Sequence, residues 1–195
     1  MQVLRCAGYR RMPWKNGGGE TFEIAVSPPE ATLDAMDWRI SMAVVASDGP
    51  FSSFPGVDRT LSILEGDGIE LALEGAGAFL LSPGTEPFHF PADVPAMARL
   101  SGGAVTDLNV MSRRSAYRHL VRRLPVDAPQ LLATKANAVA VFACSGAVAC
   151  ARPGEPPATL QARDCALFRA PPGHIELAGE GPAAVLLAEF YFTTA

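Results

Sequence analysis

Apolar and polar residues alternate along this chain with a period of two and in short runs, the pattern of half-buried β-strands. Phe22, Ile24 and Val26 alternate with Glu23 and Ala25. In the run 37–44, Trp38, Ile40, Met42 and Val44 share one face, and Arg39 and Ser41 the other. Thr60 to Leu64 and Ile69 to Leu73 flank Glu65-Gly66-Asp67-Gly68, a hairpin signal. Further strands are predicted at Phe79–Leu81, at Phe88–Phe90 and within Pro91–Gly103. In the next one, Asp107–Met111, Asp107, Asn109 and Met111 lie on one face.

After a basic connector the rhythm begins again. Ala138–Cys144, Ala147–Ala151, a strand pair over Leu160–Phe168 broken near Asp164, His174–Leu177 and Ala184–Phe192 repeat the strand order of the first half more than its residues. That repetition points to an internal duplication. Arg113, Arg114, Arg118, Arg122 and Arg123 are expected to form the solvated face of a short helix and connector between the halves.

One stretch does not fit a strand. Met12-Pro13-Trp14-Lys15-Asn16 runs into Gly17-Gly18-Gly19, and three glycines together cannot serve packing. A phosphate-binding loop is excluded: the lysine precedes the glycines, no Gly-Lys-Ser/Thr follows, and the next segment has the strand period. The glycines therefore mark either a plain turn between strands or a close backbone approach. Trp14, Lys15 and Asn16 beside them add an aromatic wall, a charge and a two-sided hydrogen-bonder.

Composition narrows the class. The 195 residues suffice for one large or two small domains, and charged residues are only 18%. Eighteen glycines and seventeen prolines recur throughout, as turns between many short strands require. A formal charge of -4 gives no electrostatic footprint for nucleic acid. The N-terminus lacks a signal core and no long apolar run occurs, so neither secretion nor a membrane partner is expected. Cys6, Cys144, Cys150 and Cys165 show no metal spacing and read as thiols of a reducing cytoplasm.

The order of strand, Leu-Glu-Gly-Asp-Gly turn, strand, Pro-Gly turn and strand resembles the cupin superfamily of small jelly-roll barrels. In metal-binding cupins a glutamate and a His-x-His pair precede the hairpin glycine. Counted back from Gly66, the resemblance puts Arg59 at the glutamate position and no histidine within Ser52–Pro55. A guanidinium there implies that neither a metal nor another cofactor is used. His89, His119 and His174 are scattered and are not expected to be ligands.

The blocks at 12–19, 37–41, 48–59, 64–68 and 107–111 together resemble the HutD/Ves family. The resemblance covers residues 3–120 by motif and the remainder by strand rhythm. It implies an all-β bicupin, two cupin-type jelly-roll barrels in one chain: residues 1–116 carrying the site and 117–195 a degenerate second barrel. It also implies a cytoplasmic bacterial protein linked to histidine utilisation, with a formylated or formimino glutamate as the suggested ligand.

The matching blocks supply Lys15, Asn16, Arg39, Ser41, Arg59 and Asn109 for a single pocket, with Trp14 and Phe54 as apolar walls. Arginines grip carboxylates bidentately, and the carboxamides can donate and accept at an amide-like group. The alternative is that Arg39 and Arg59 pair with Asp37, Asp58 or Asp107 and lock the barrel without a ligand. Asp58 could equally orient Arg59. Such a pocket suits a metal-free binder of a small anion in a regulatory role; the alternative is a metal-independent amide hydrolase or isomerase with Asp107, His89 or Lys15 as base. Self-association, as a homodimer in the simplest case, is expected of such a chain, although no residue pattern fixes the stoichiometry.

Overall fold

The computed structural model describes residues 1–15 and 17–193. In chain order the strands are β1 (Gln2–Leu4), β2 (Arg10–Pro13), β3 (Gly19–Ser27), β4 (Trp38–Val45), β5 (Gly49–Pro50), β6 (Val57–Glu65), β7 (Ile69–Leu73), β8 (Gly77–Leu81), β9 (Phe88–Pro91), β10 (Ala96–Leu100) and β11 (Val105–Arg113). They continue with β12 (Tyr117–Pro125), β13 (Gln130–Ala133), β14 (Ala138–Ser145), β15 (Val148–Ala151), β16 (Ala158–Leu160), β17 (Cys165–Phe168), β18 (His174–Gly179) and β19 (Ala184–Phe192). No helix among the described residues is long and apolar enough to cross a membrane.

The chain forms two units, Arg10–Arg118 and a second made of Met1–Tyr9 with His119–Ala195. The first nine residues, assigned by sequence to the N-terminal barrel, instead join the C-terminal unit. There β1 pairs antiparallel with β17, and Asp164 accepts hydrogen bonds from Arg5 Nη1 (2.7 Å) and the Cys6 amide (2.9 Å).

In the N-terminal unit one sheet runs β2-β3-β4-β11-β6-β9 and the other β5-β10-β7-β8. The C-terminal unit has sheets ordered β12-β19-β14-β17-β1 and β13-β18-β15-β16. The series β4-β11-β6-β9 and β12-β19-β14-β17 are the same walk through two successive stretches of chain, and so are β5-β10-β7-β8 and β13-β18-β15-β16. Each unit is therefore a two-sheet, cupin-type barrel, and the duplication read from strand rhythm is present in the topology.

The basic connector is not helical. Arg113 ends β11, a turn follows, and Arg118, Arg122 and Arg123 lie on β12, where Tyr117 to Arg122 alternate at the strand period. Three of its five arginines have remote partners: Arg113 donates to the Met36 and Asp34 carbonyls, Arg114 bonds Asp58 and Asp93, and Arg122 bonds Glu189. The expected solvated face is present, since Arg114, Arg118 and Arg122 are exposed, but it lies on a turn and a strand and not on a helix.

The core of the N-terminal barrel contains Ala43, Val45, Leu61, Ile63, Ile69, Leu71, Phe90, Ala98 and Val105. Ala43 and Val45 continue the face of Arg39 and Ser41, so that face of β4 is apolar at one end and polar at the other. Trp38, Ile40 and Met42, on the opposite face, are also buried. Alternation in β3 is broken by a bulge between Glu23 and Ala25, so Glu23 sits opposite Ser41 and Val26 opposite Arg39.

Candidate functional site

The polar end of the N-terminal barrel opens into a cavity of about 620 Å³. Three rungs of one sheet build its wall. Thr21, Ala43, Asp107 and Ile63 lie across β3, β4, β11 and β6; Glu23, Ser41, Asn109 and Leu61 form the next rung; and Val26, Arg39, Met111 and Arg59 the third. Since side chains on alternate residues face the same way, these rungs present Arg39, Ser41, Arg59, Asp107 and Asn109 to one space.

Trp14, Lys15, Arg39, Ser41, Phe54, Arg59 and Asn109 all line the cavity, as do Thr21, Asp48, Phe51, Asp107 and Met111. Asn16, the remaining residue expected in the site, lies outside the described residues. The glycine stretch acts both as a turn and as a close approach: it joins β2 to β3, and a Cβ on Gly19 would stand 2.2 Å from the Val44 carbonyl oxygen and 3.1 Å from the Trp14 ring. Trp14 is fixed over the cavity by its indole N–H donating to Thr21 Oγ1 (2.8 Å) and by its amide donating to the Gly19 carbonyl (3.0 Å). Lys15 is exposed at the rim.

The two arginines differ. Arg39 is already neutralised: its Nε donates to Glu23 Oε2 at 2.7 Å and its Nη1 to Ser41 Oγ at 3.1 Å. Glu23 reaches it because of the β3 bulge, which sequence alternation did not reveal. Arg59 is only 4% exposed, and its Nη2 donates to the Ser52 carbonyl at 3.1 Å. Among the described residues its buried Nε has no hydrogen-bond partner and it forms no ion pair. The guanidinium carbon lies 5.0 Å from the Phe51 ring centre, 5.3 Å from Phe54 and 5.8 Å from Phe90. Three aromatic faces stabilise the cation without consuming its hydrogen-bonding edge. Burial pulls its pKa down to about 10, partly offset by Asp107 and reinforced by the like charge of Arg39.

Internal pairing with aspartates therefore takes a different form from the one weighed on sequence. Asp58 bonds Arg114 Nη1 (2.7 Å) and does not orient Arg59. Asp107 is 1% exposed and accepts from Asn109 Nδ2 at 2.6 Å and from the Ala43 amide. Burial pushes its carboxyl up to about 7, against the opposing pull of Arg59 and of those two donors. Asn109 keeps a buried Oδ1 without a hydrogen-bond partner among the described residues. The cavity thus holds a buried donor on Arg59 and a buried acceptor on Asn109, both unsatisfied, beside a carboxyl that titrates near neutrality. His89 is exposed on β9, its Nδ1 3.1 Å from Thr60 Oγ1.

Phe51, Phe90 and Glu23 went unnoticed as site residues. Phe51 belongs to the 48–59 block and was legible there. Phe90 reaches Arg59 only through the register of β6 with β9.

The HutD family model matches residues 6–187. The chain belongs to the HutD family. An uncharacterized 21.2 kDa protein from the hutC 3′ region of Pseudomonas putida is 36% identical over 165 residues, covering 85% of each chain. Protein Ves of Citrobacter koseri is 46% identical over 118 residues, 58% of this chain and 60% of that protein. Among solved structures, HutD from Pseudomonas fluorescens SBW25 superposes with a TM-score of 0.84 at 31% identity, covering 99% of both chains. A cupin 2 conserved barrel protein from Leptotrichia buccalis matches with a TM-score of 0.59 over 87% of both chains, and its 13% identity bears on the fold alone.

Proposed function

We propose that the N-terminal barrel is a metal-free receptor for a small anionic amino-acid derivative of the formyl- or formimino-glutamate type, serving a regulatory or accessory role in histidine utilisation. The carrying observation is Arg59, a buried cation among three aromatic rings whose Nε has no hydrogen-bond partner among the described residues. An uncompensated buried charge destabilises a fold, and a ligand carboxylate supplies the missing hydrogen bonds. The orphaned Oδ1 of Asn109 wants an N–H, which a formamide or formimino group provides. Lys15 at the rim would guide the anion inward, and Trp14, Phe51 and Phe54 enclose its methylene chain.

The names of the relatives, HutD and the protein of the hutC 3′ region, support the physiological half of this reading. Titration calorimetry with N-formyl-L-glutamate and N-formimino-L-glutamate tests it. The expected result is one site per chain, with a rise in melting temperature. No heat and no thermal shift with either compound would leave the cavity a structural feature only.

A second reading rests on Asp107. A buried carboxyl with a pKa of about 7 is suited to general acid–base work at neutral pH. In this reading the barrel is a metal-independent amide hydrolase or isomerase acting on the same ligand. Turnover of either glutamate derivative by chelator-treated protein, lost in Asp107→Asn, would select it over the receptor.

A further inference from the structure

We propose that capture of a carboxylate by Arg59 is coupled to uptake of one proton by Asp107, so that the cavity takes its anion together with a proton. The inference rests on the ligand reading above and adds its regulation. Its basis is the placement of charges. Asp107 projects from β11 between Ala43 of β4 and Ile63 of β6, is 1% exposed, and has no ion-pair partner among the described residues.

The charged groups around it come from every neighbouring element. Arg39 lies on β4, its charge met by Glu23 of β3; Arg59 lies on β6; Lys15 and Asp48 line the cavity from loops; and the facing β10 contributes Ala98, which is uncharged. Within β11 the contact is Asn109, which donates to Asp107 in either protonation state. Arg59 is the cation that opposes burial and draws the Asp107 carboxyl downward.

Neutralising Arg59 with a ligand carboxylate cancels that pull while burial remains. The Asp107 carboxylate then becomes the more costly state, and it takes a proton from solvent as the ligand docks. Linkage makes the effect reciprocal: an ionised Asp107 weakens the hold of Arg59 on an anion, and a protonated one strengthens it. Since the free carboxyl titrates at about 7, the coupling acts across the neutral range. Glu23 takes no part, because its charge is matched by Arg39 in both states.

Calorimetry with acetate and with N-formyl-L-glutamate, each at pH 6.0 in Bis-Tris and in imidazole and at pH 8.5 in Tris and in triethanolamine, reads the coupling directly. From the difference in heats between the two buffers, uptake at pH 8.5 is expected to approach one proton per anion, and near zero at pH 6.0. Affinity should fall about tenfold for each pH unit above about 7 until the liganded carboxyl itself ionises. Asp107→Asn, which mimics the protonated acid, should bind with no uptake and equal affinity at both pH values. Should that variant not fold, the wild-type heats decide alone.

Binding of either anion without proton uptake, at the same affinity across the range, overturns the coupling and leaves the ligand reading standing. Acetate binding with uptake while N-formyl-L-glutamate fails removes the proposed ligand and leaves the coupling. If neither binds at either pH, both fall.

Discussion

The two barrels of this chain share a strand walk and differ in what fills the interior. The hairpin glycines Gly66 and Gly146 give a common origin, with φ of +94° and +70° respectively. Counting back equally from each, Arg59, Leu61 and Ile63 correspond to Val139, Val141 and Ala143. Across the sheet, Asp107 and Asn109, opposite Ile63 and Leu61, correspond to Val185 and Leu187, opposite Ala143 and Val141. The C-terminal positions all belong to one buried aliphatic cluster. Where it does carry charge on that face, at Glu189, the carboxylate is met by Arg122 Nη2 (2.9 Å) and Thr134 Oγ1 (2.6 Å). At matched positions of the same frame, one unit is filled by hydrophobic side chains and the other keeps open hydrogen-bonding groups at Arg59 Nε and Asn109 Oδ1 among the described residues.

Four experiments press on that contrast. Copying Asp107 into the C-terminal core as Val185→Asp should have the largest effect, a loss of about 4 kcal/mol or more in urea unfolding, because the new carboxyl enters a buried hydrophobic cluster. Next, Arg59→Met should reduce affinity for N-formyl-L-glutamate about 100-fold by calorimetry, about 3 kcal/mol, while the melting temperature holds or rises. A fall in stability as large as the loss of binding would show that Arg59 is structural, as Glu189 is.

Gly19→Ala should cost about 2 kcal/mol by thermal unfolding and weaken binding with it, since its Cβ meets the Val44 carbonyl at 2.2 Å and crowds Trp14. Unchanged stability would show that the glycine stretch is a permissive turn. Read per pH unit, the smallest effect is in pH dependence. The folded pKa of Asp107 is raised to about 7 from 3.8, so its contribution to stability is fully present below the unfolded value and is lost as pH climbs toward 7. The slope is at most about 1.4 kcal/mol per unit between those limits. Subtracting the melts of Asp107→Asn from those of the wild type should expose it, and identical pH profiles would exclude a raised pKa.

How far the site was legible depended on where its partners lay. Arg39 and Ser41 could be placed together because they sit two apart on one strand, and Asp107 and Asn109 for the same reason. The blocks at 12–19 and 48–59 added Trp14, Lys15, Phe54 and Arg59 through family resemblance, and all eight of these residues line one cavity. The β3 bulge that delivers Glu23 to Arg39, the register that sets Phe90 over Arg59, and the return of residues 1–9 to the C-terminal unit were not legible. Nor was the strand character of the basic connector, or that Arg113, Arg114 and Arg122 are bound by groups far away in the chain.

By itself the sequence determined the period-two strands, the hairpins, the duplicated order and the inventory of cations and carboxamides, because each follows from local sterics and from which face a side chain takes. The tertiary structure alone decided which arginine is neutralised and which stays open, and that Asp107 is buried deeply enough to titrate near neutrality. Charge pairing and desolvation depend on distances and solvent exclusion between remote segments, and neither is written in any one stretch of residues.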